Sequence, residues 1–480
     1  MPLGLERQES VGATGDELLA EPGSFRDRGA TVFYSGGRVF RGLTPAALLE
    51  WDRLSKAEFF VRLMRDGSIV ATERATDQLP ATVAAQWAAV LRHERIPFIS
   101  YPYEWSFGML KDAALLQLDL LDAALPEGMI LKDASSYNVQ WHGARPVFID
   151  VGSFHALAPG QPWEGYRQFC QLYLYPLMLQ AYKDVPFHPW LRGSLEGIES
   201  GHCAPLFSLR DSLRAGVLTH VKLQSKVQAK YASANTNVRD ELRQAGFNEA
   251  FIATNVRRLR KLVAGLEWKQ QRSEWSDYAS NTTYDQRDQQ SKEAFVRSAA
   301  TSRRPRLVWD LGCNTGAYSR VAAEVADYVV AIDADHLAVE RLYQALKAEG
   351  AKKIIPLVGN LADPSPNLGW RGAERKPLAE RGKPDLVLAL ALIHHVVIGA
   401  NVPLADFMDW ICGLDADVVI EFVTRDDSMV RTLLRNRIDQ YDDYTTEEFE
   451  RQLKLRFDLV AREKLENGTR ILYYGRNRSR

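Results

Sequence analysis

The chain has 480 residues, with 60 Lys and Arg against 61 Asp and Glu and a net charge of −1. That length allows two or three domains at roughly 100–200 residues each, and the charge balance gives no footing to a nonspecific polyanion binder. The four cysteines, Cys170, Cys203, Cys313 and Cys412, form no C-x-x-C pair and spell neither a zinc site nor a disulfide framework.

Residues 1–30 are polar and Gly-rich without periodicity, the profile of a mobile tail, and lack the apolar stretch of a secretory signal. Residues 31–43 set two β-prone runs about Gly36-Gly37, a hairpin signal. A second hairpin is expected from 59–64 and 68–73, turning at Asp66-Gly67. Helical patterns follow over 82–92 and 109–125, and short strands and turns over 130–154. Residues 163–265 read as mostly helix, with apolar residues recurring at three and four. The basic run Arg257-Arg258-Leu259-Arg260-Lys261 reads as a solvated helix face. Together 31–268 make a mixed α+β domain. Residues 269–290 read as a linker, polar and rich in Gln, Ser, Asp and Asn. Its Trp275, Tyr278 and Tyr284 either cover a neighbouring site or dock on the core.

From 291 to 480 strands and helices alternate, the pattern of a parallel sheet with crossover helices. Strand 306–309 runs into Asp310-Leu311-Gly312-Cys313-Asn314-Thr315-Gly316. A helix over 318–326 and a strand over 328–332 follow, ending at Asp333. Strand, glycine-rich turn, helix, strand and acid compose a nucleoside-binding βαβ unit. The D-x-G-x-x-x-G spacing differs from the G-x-G-x-x-G that brings backbone against a pyrophosphate. It suits a ligand with an ammonium for Asp310, a carboxylate for amide N–H groups at the helix start, and ribose hydroxyls for Asp333. A third strand, 354–358, ends at Gly359-Asn360-Leu361, and a fourth, 385–390, leads into Ala391-Leu392-Ile393-His394-His395. The apolar run 386–393 is far short of the roughly 20 residues of a membrane helix, so a cytoplasmic protein without a membrane partner is expected. A fifth strand covers 418–422. Thr445-Thr446-Glu447-Glu448 is a capping box with Tyr444 and Phe449 as its staple. Runs 457–461 and 470–474 close the domain as a hairpin about Asn467-Gly468.

The segment Asp310–Gly316 with Asp333 resembles motifs I and II of the class I S-adenosylmethionine-dependent methyltransferases. The ordered elements that follow resemble their Rossmann-like seven-stranded sheet, giving an α/β fold preceded by the α+β domain. The resemblance implies S-adenosylmethionine as cofactor and S-adenosylhomocysteine as product. It places Asp310, Gly312, Cys313, Asn314, Gly316, Asp333, Ala334, Asn360, Leu361, Ala389 and Leu390 along the cofactor. Asn360 departs from the Asp common there and still offers a carbonyl oxygen to the adenine amino group. His394 and His395 lie just past the fourth strand, where open α/β sheets hold ligands. They are the candidates for a base on an oxygen or nitrogen acceptor, against a packing role. Glu421 would join them only in a metal site; the spacing of tight ligands is missing, and no metal is expected. The fourth-strand motif is not Asn-Pro-Pro-Tyr, and no cysteine pair suggests covalent pyrimidine methylation. O- or N-methylation of an unidentified small molecule, glycan or protein is therefore favoured over a nucleic acid.

In the first half, Asp133 and Asn138 stand five apart, and a strand then leads to Asp150 and Gly152. This resembles the catalytic and metal loops of kinase-like phosphotransferases, where Asp133 would be the base and Asn138 and Asp150 would hold magnesium. A glycine-rich phosphate loop and a strand-borne lysine are missing upstream, and Asx-turns produce the same spacing. With its Ile96-Pro97-Phe98-Ile99-Ser100-Tyr101-Pro102-Tyr103-Glu104-Trp105 run, the chain as a whole resembles bacterial two-part methyltransferases of the NoeA-related group. The expectation is a methyltransferase whose N-terminal domain binds or presents the acceptor. The alternatives are phosphotransfer and methylation in one chain, or a non-catalytic module that senses S-adenosylmethionine and recruits a partner.

Overall fold

The computed structural model describes residues 19–75, 86–226, 249–270, 286–435, 438, 440 and 441–478. Trp275, Tyr278 and Tyr284 lie outside them.

Five antiparallel strands open the fold. Leu19–Ala20 (β1), Ala30–Ser35 (β2), Arg38–Leu43 (β3), Thr72–Arg74 (β4) and Ala89–His93 (β5) lie in the order β1-β2-β3-β5-β4. The Gly36-Gly37 hairpin forms as expected: both glycines have positive φ (52° and 76°), and Ser35 pairs with Arg38 across the turn. Residues 19–30 are built into the fold rather than trailing from it, because β1 pairs with β2 and Ser24 Oγ accepts the Val32 amide at 2.8 Å.

Two expectations fail here. Residues 59–64 are not half of a hairpin but lie in the helix Glu58–Arg65. Phe59, Phe60, Leu63 and Met64 form a stripe at helical spacing on the core. The amides of Glu58 and Phe59 are capped at 2.7 Å by the Glu127 carboxylate, a distant partner that local sequence does not reveal. Of the expected helix 82–92, residues 82–85 lie outside the described residues. Its other end is β5, paired on both sides by β3 and β4. Ladder bonds on both edges override the helix preference of its alanines.

The rest of the first half is largely helical. Helix Phe107–Ala124 starts on the Ser106 cap and buries residues around most of its circumference, as a central column does. Helix Glu249–Ala264 packs beside it, so the basic run is not simply a solvated face: Arg257 pairs with Asp122 at 3.1 Å and Arg260 with Asp119. Between these helices, Met129–Leu131 (β6) pairs with Phe154–Ala156 (β9). Val139–His142 (β7) pairs with Arg145–Phe148 (β8).

The second half begins with helix Gln286–Arg303, five residues before the expected boundary at 291. Its sheet has seven strands. They are Leu307–Leu311 (β10), Tyr328–Asp333 (β11), Ile354–Val358 (β12), Leu386–Ala389 (β13), Asp417–Val423 (β14), Phe457–Lys464 (β15) and Arg470–Asn477 (β16). The order is β12-β11-β10-β13-β14-β16-β15, with the first five parallel and β16 antiparallel to both its neighbours. The chain leaves β10 toward β11 on one side and returns at β13 on the other. The crevice beyond the carboxyl ends of β10 and β13 is the topological switch point, where such sheets take ligands. This is the expected Rossmann-like seven-stranded sheet.

The halves share a single large apolar core. Phe98 meets Trp309 of β10 edge-on, with ring centroids 6.2 Å apart. Residues 360–383, between β12 and β13, form a strap laid on the first half. Arg381 makes a bidentate, buried pair with Glu104 at 2.6 Å on both arms, Glu374 holds Arg26, and Lys376 holds Glu21. No described helix is long and apolar enough to cross a membrane.

Candidate functional site

The loop after β10 carries the first group of site residues. Asp310 is buried, and one of its oxygens accepts the Ser319 hydroxyl at 2.5 Å. Burial pushes its carboxyl up to about 7, the nearby Asp333 charge adding to the shift and Ser319 opposing it. Gly312 and Gly316 have φ of 76° and 80°, where a side chain is strained. Contact matters as well as conformation: a Cβ at Gly316 would stand 2.6 Å from Leu342, and one at Gly312 would stand 3.2 Å from Leu392. Cys313 is buried, and burial holds its thiol well above the usual range, so it is an inert packing group. The helix that follows is shorter than expected, Ala317–Ala323.

Asp333 ends β11 and ties two loops together. One oxygen accepts the Asn314 amide at 2.7 Å and the other the Asp335 amide at 2.8 Å. Each oxygen retains a lone pair, so the group can also receive two adjacent hydroxyls. Burial raises its pKa, and these backbone bonds oppose the shift. Ala334 beside it is exposed, and Asp335 caps the next helix by accepting from Leu337 and Ala338. At the end of β12, Asn360 is exposed and its Oδ1 accepts the Ala362 amide at 3.0 Å; Leu361 is half-buried. Ala389 and Leu390 are buried at the end of β13. All the residues expected along a cofactor therefore lie at the carboxyl ends of β10 to β13.

The histidines divide. His394 is fully buried, and neither ring nitrogen has a hydrogen-bond partner among the described residues. Burial first, then His395, Arg470 and Lys292, depress its pKa well below the ordinary value. His395 is half-buried; burial first and Arg470 second lower it to about 4. The lowered pKa values keep both imidazoles neutral at pH 7, and His395 is the less buried of the two.

Glu421, fully buried on β14, is committed to neighbours other than the histidines. Lys292 Nζ lies 2.7 Å from one of its oxygens, and the Ala391 amide donates to the other at 2.8 Å. Arg470 lies 3.4 Å away. Among the described residues no cluster of three potential metal ligands occurs. Lys292 and Arg470 escaped sequence reasoning because a helical lysine and a hairpin arginine look like surface residues until the fold encloses them. Ser319, nine residues past Asp310, escaped it too, because a hydroxyl in the first turn of a helix does not announce which carboxylate it meets.

A second polar cluster lies in the first half. Asn138 Nδ2 donates to Asp133 at 3.0 Å and stands 3.5 Å from Asp150. Ser153 donates to Asp133 at 2.6 Å, and Arg41 of β3 pairs with Asp150 at 2.7 Å. Burial chiefly, with the Asp150 charge behind it, lifts Asp133 to about 6. The fold thus brings Asp133, Asn138 and Asp150 together as their spacing suggested. Arg41 and Ser153 were missed; a basic residue on the second strand of the opening hairpin was the available signal for the first.

No family model matches the chain. It is 36% identical over 459 residues to nodulation protein NoeA of Rhizobium meliloti (strain 1021), covering 94% of each chain. Among solved structures it is similar to the N-methyltransferase NodS from Bradyrhizobium japonicum WM9, at 13% identity and a TM-score of 0.30, over 40% of this chain and 98% of that one. It is also similar to magnesium protoporphyrin IX methyltransferase from Synechocystis PCC 6803, at 19% identity and a TM-score of 0.29, over 40% and 84%.

Proposed function

The chain belongs to the family of nodulation protein NoeA, and from that premise we propose that its second half is a class I S-adenosylmethionine-dependent methyltransferase. The observation that carries this reading is the pair of carboxylates at the ends of adjacent parallel strands, Asp310 and Asp333, joined by a loop that two glycines hold open. Asp310 receives the cofactor ammonium, and Asp333 the two ribose hydroxyls. Asn360 and Leu361 border the adenine, with Ala334 on its exposed side and Ala389 and Leu390 beneath. Asn360 keeps one carbonyl lone pair for the adenine amino group, the other being held by Ala362. The sulfonium is already an activated donor, so the chain's task is to align an acceptor with the methyl and exclude water. His395, just past β13, is the candidate base, and neutral at pH 7 it can take a proton from an oxygen or nitrogen acceptor. The acceptor is a small molecule, glycan or protein, bound or presented by the first half in the cytoplasm.

Calorimetric titration with S-adenosylmethionine and S-adenosylhomocysteine, with NAD and ATP as controls, tests the reading. Selective binding of the first two, abolished by Asp310→Ala, is expected. Unchanged affinity in that variant would overturn the site.

A second reading rests on the cluster of Asp133, Asn138 and Asp150, in which three groups suited to phosphotransfer converge. It gives the first half a kinase-like nucleotide site. The Arg41 guanidinium competes with any cation for Asp150, which weighs against it. Magnesium-dependent ATP binding lost in Asp150→Ala supports this reading, and the absence of ATP binding removes it.

A further inference from the structure

The turn after β13 lies against the glycine loop of β10, and its conformation is held from the neighbouring strand β14. Ala391 has φ of 49°, a left-handed conformation that costs a residue with a Cβ roughly 1–2 kcal/mol. The next residue, Leu392, lies against Gly312 in the glycine loop of β10. The Ala391 amide is held by a hydrogen bond to the Glu421 carboxylate at 2.8 Å, which opposes relaxation of the turn. That carboxylate is buried, and a buried carboxylate needs a hydrogen-bonded counter-charge. Lys292, on the helix that opens the second half, supplies it at 2.7 Å and is itself only 1% exposed. Arg470 of β16 lies 3.4 Å away on the same carboxylate and is anchored on its other side by Asp427 at 2.9 Å.

We propose that Glu421 is a positioning residue for the methyl-transfer site, with Lys292 as its charge partner: together they fix the Ala391–Leu392 turn against the Gly312 loop, at the sulfur end of the cofactor. The inference rests on the methyltransferase reading and deepens it. One helix, two strands and the turn meet at a single carboxylate, so the turn is set by the core and not by the loop's own sequence. The effect is local. The ribose and adenine side, built by Asp333, Asn360 and Leu361, depends on β11 and β12, which Glu421 does not touch. A ligand that fills only the nucleoside side should not sense the network, whereas one that also reaches past Gly312 toward Leu392 should.

The test compares adenosine with S-adenosylhomocysteine by calorimetry. The double variant Lys292→Met/Glu421→Leu removes both charges together, because a single removal strands a buried ion. Its affinity for S-adenosylhomocysteine is expected to fall about tenfold, the worth of one ordering hydrogen bond, with adenosine unchanged. Adding Ala391→Gly, which accepts positive φ without strain, should restore part of the loss. Leu392→Ala, which leaves the buried charges in place, should show the same selective loss even where the double variant fails to fold. Equal weakening of both ligands in these variants, or wild-type affinity for S-adenosylhomocysteine in Leu392→Ala, overturns the proposal. A wild-type chain that binds adenosine but not S-adenosylhomocysteine overturns the proposal and leaves a nucleoside site. One that binds neither removes the cofactor reading as well.

Discussion

Asp310 is the residue whose chemistry can be followed with a titration. Its carboxyl sits at about 7 in the unliganded chain because burial penalises its charge. An ammonium docking against it favours the ionised form and lowers that pKa. Above pH 7 the free site is already ionised, and affinity for S-adenosylmethionine should level off. Below pH 7 a proton must leave before the ammonium can pair, so affinity should fall by about tenfold per unit. Calorimetry at pH 6 in two buffers of different ionisation enthalpy should detect release of about one proton per complex. A flat profile from pH 6 to 8 would remove Asp310 from the ammonium's environment. The histidines give the opposite expectation. With His395 at about 4, methyl transfer into an acceptor-containing extract should not change through this group between pH 6 and 8; any loss it causes belongs near pH 4 and below. His394 carries a buried imidazole with neither nitrogen bonded among the described residues, at a cost of about 1–3 kcal/mol for each unsatisfied group. His394→Leu should therefore melt no lower than the wild-type chain, and a drop of many degrees would mean that the imidazole supports the structure.

At the scale of elements, the strap of residues 360–383 links the two halves through charges. Glu104 and Arg381 are 5% and 1% exposed and bond through both arms. Arg381 also lies 4.7 Å from the Tyr101 ring. Glu104→Gln leaves the guanidinium buried without its counter-ion, which should cost about 3–5 kcal/mol, read as a lower urea midpoint. A change below about 1 kcal/mol would place the pair in effective contact with solvent. Nothing in the run 360–383 announces such a strap, since its partners Glu104, Arg26 and Glu21 lie 277 to 355 residues earlier in the chain. What was legible was local and periodic. The βαβ unit shows itself in an apolar run, two spaced glycines and an acid at the end of the next run, and β10, β11 and Asp333 stand where these put them. Only half of the expected capping box at Thr445 forms: its Oγ1 accepts the Glu448 amide at 3.2 Å, while the Thr445 amide donates to the Asp443 carbonyl and the Glu448 carboxylate turns to Arg451 and Gln452. What failed depended on distant partners. Glu58–Arg65 is a helix whose cap comes from Glu127, and Ala89–His93 is a strand because β3 and β4 flank it. Within the site, strand ends could be read from the sequence. Lys292, Ser319 and Arg470 could not, because a charged or hydroxyl side chain on an amphipathic element is silent about what later closes over it.

For the molecule as a whole, the question is whether two halves with distinct sheets behave as two folding units. The contacts say otherwise. Trp309, on β10 of the second sheet, packs on Phe98 of the first half. The Gly143 amide donates to Tyr328 of β11 at 3.0 Å, and Ala144 donates to the Ala351 carbonyl at 3.1 Å. Glu340 accepts the Gly108 amide at 2.7 Å, and the His188 and His336 rings lie 4.1 Å apart. These contacts reach the strands and the helix that carry Asp310, Asp333 and Asp335, so separating the halves would open the back of the site and not merely a surface. A chain cut to residues 286–480 exposes the Trp309 and Tyr328 faces and should be poorly soluble or molten, without a cooperative transition. The full chain should unfold in urea in one step, with far-ultraviolet circular dichroism and tryptophan fluorescence superimposing. S-adenosylhomocysteine at one hundred times its Kd should then shift that single transition by about 2.7 kcal/mol. Two separate steps, with the ligand moving only the later one, would mean that the shared core does not couple the halves, and the acceptor would then have to be presented by a domain free to move relative to the methyl donor.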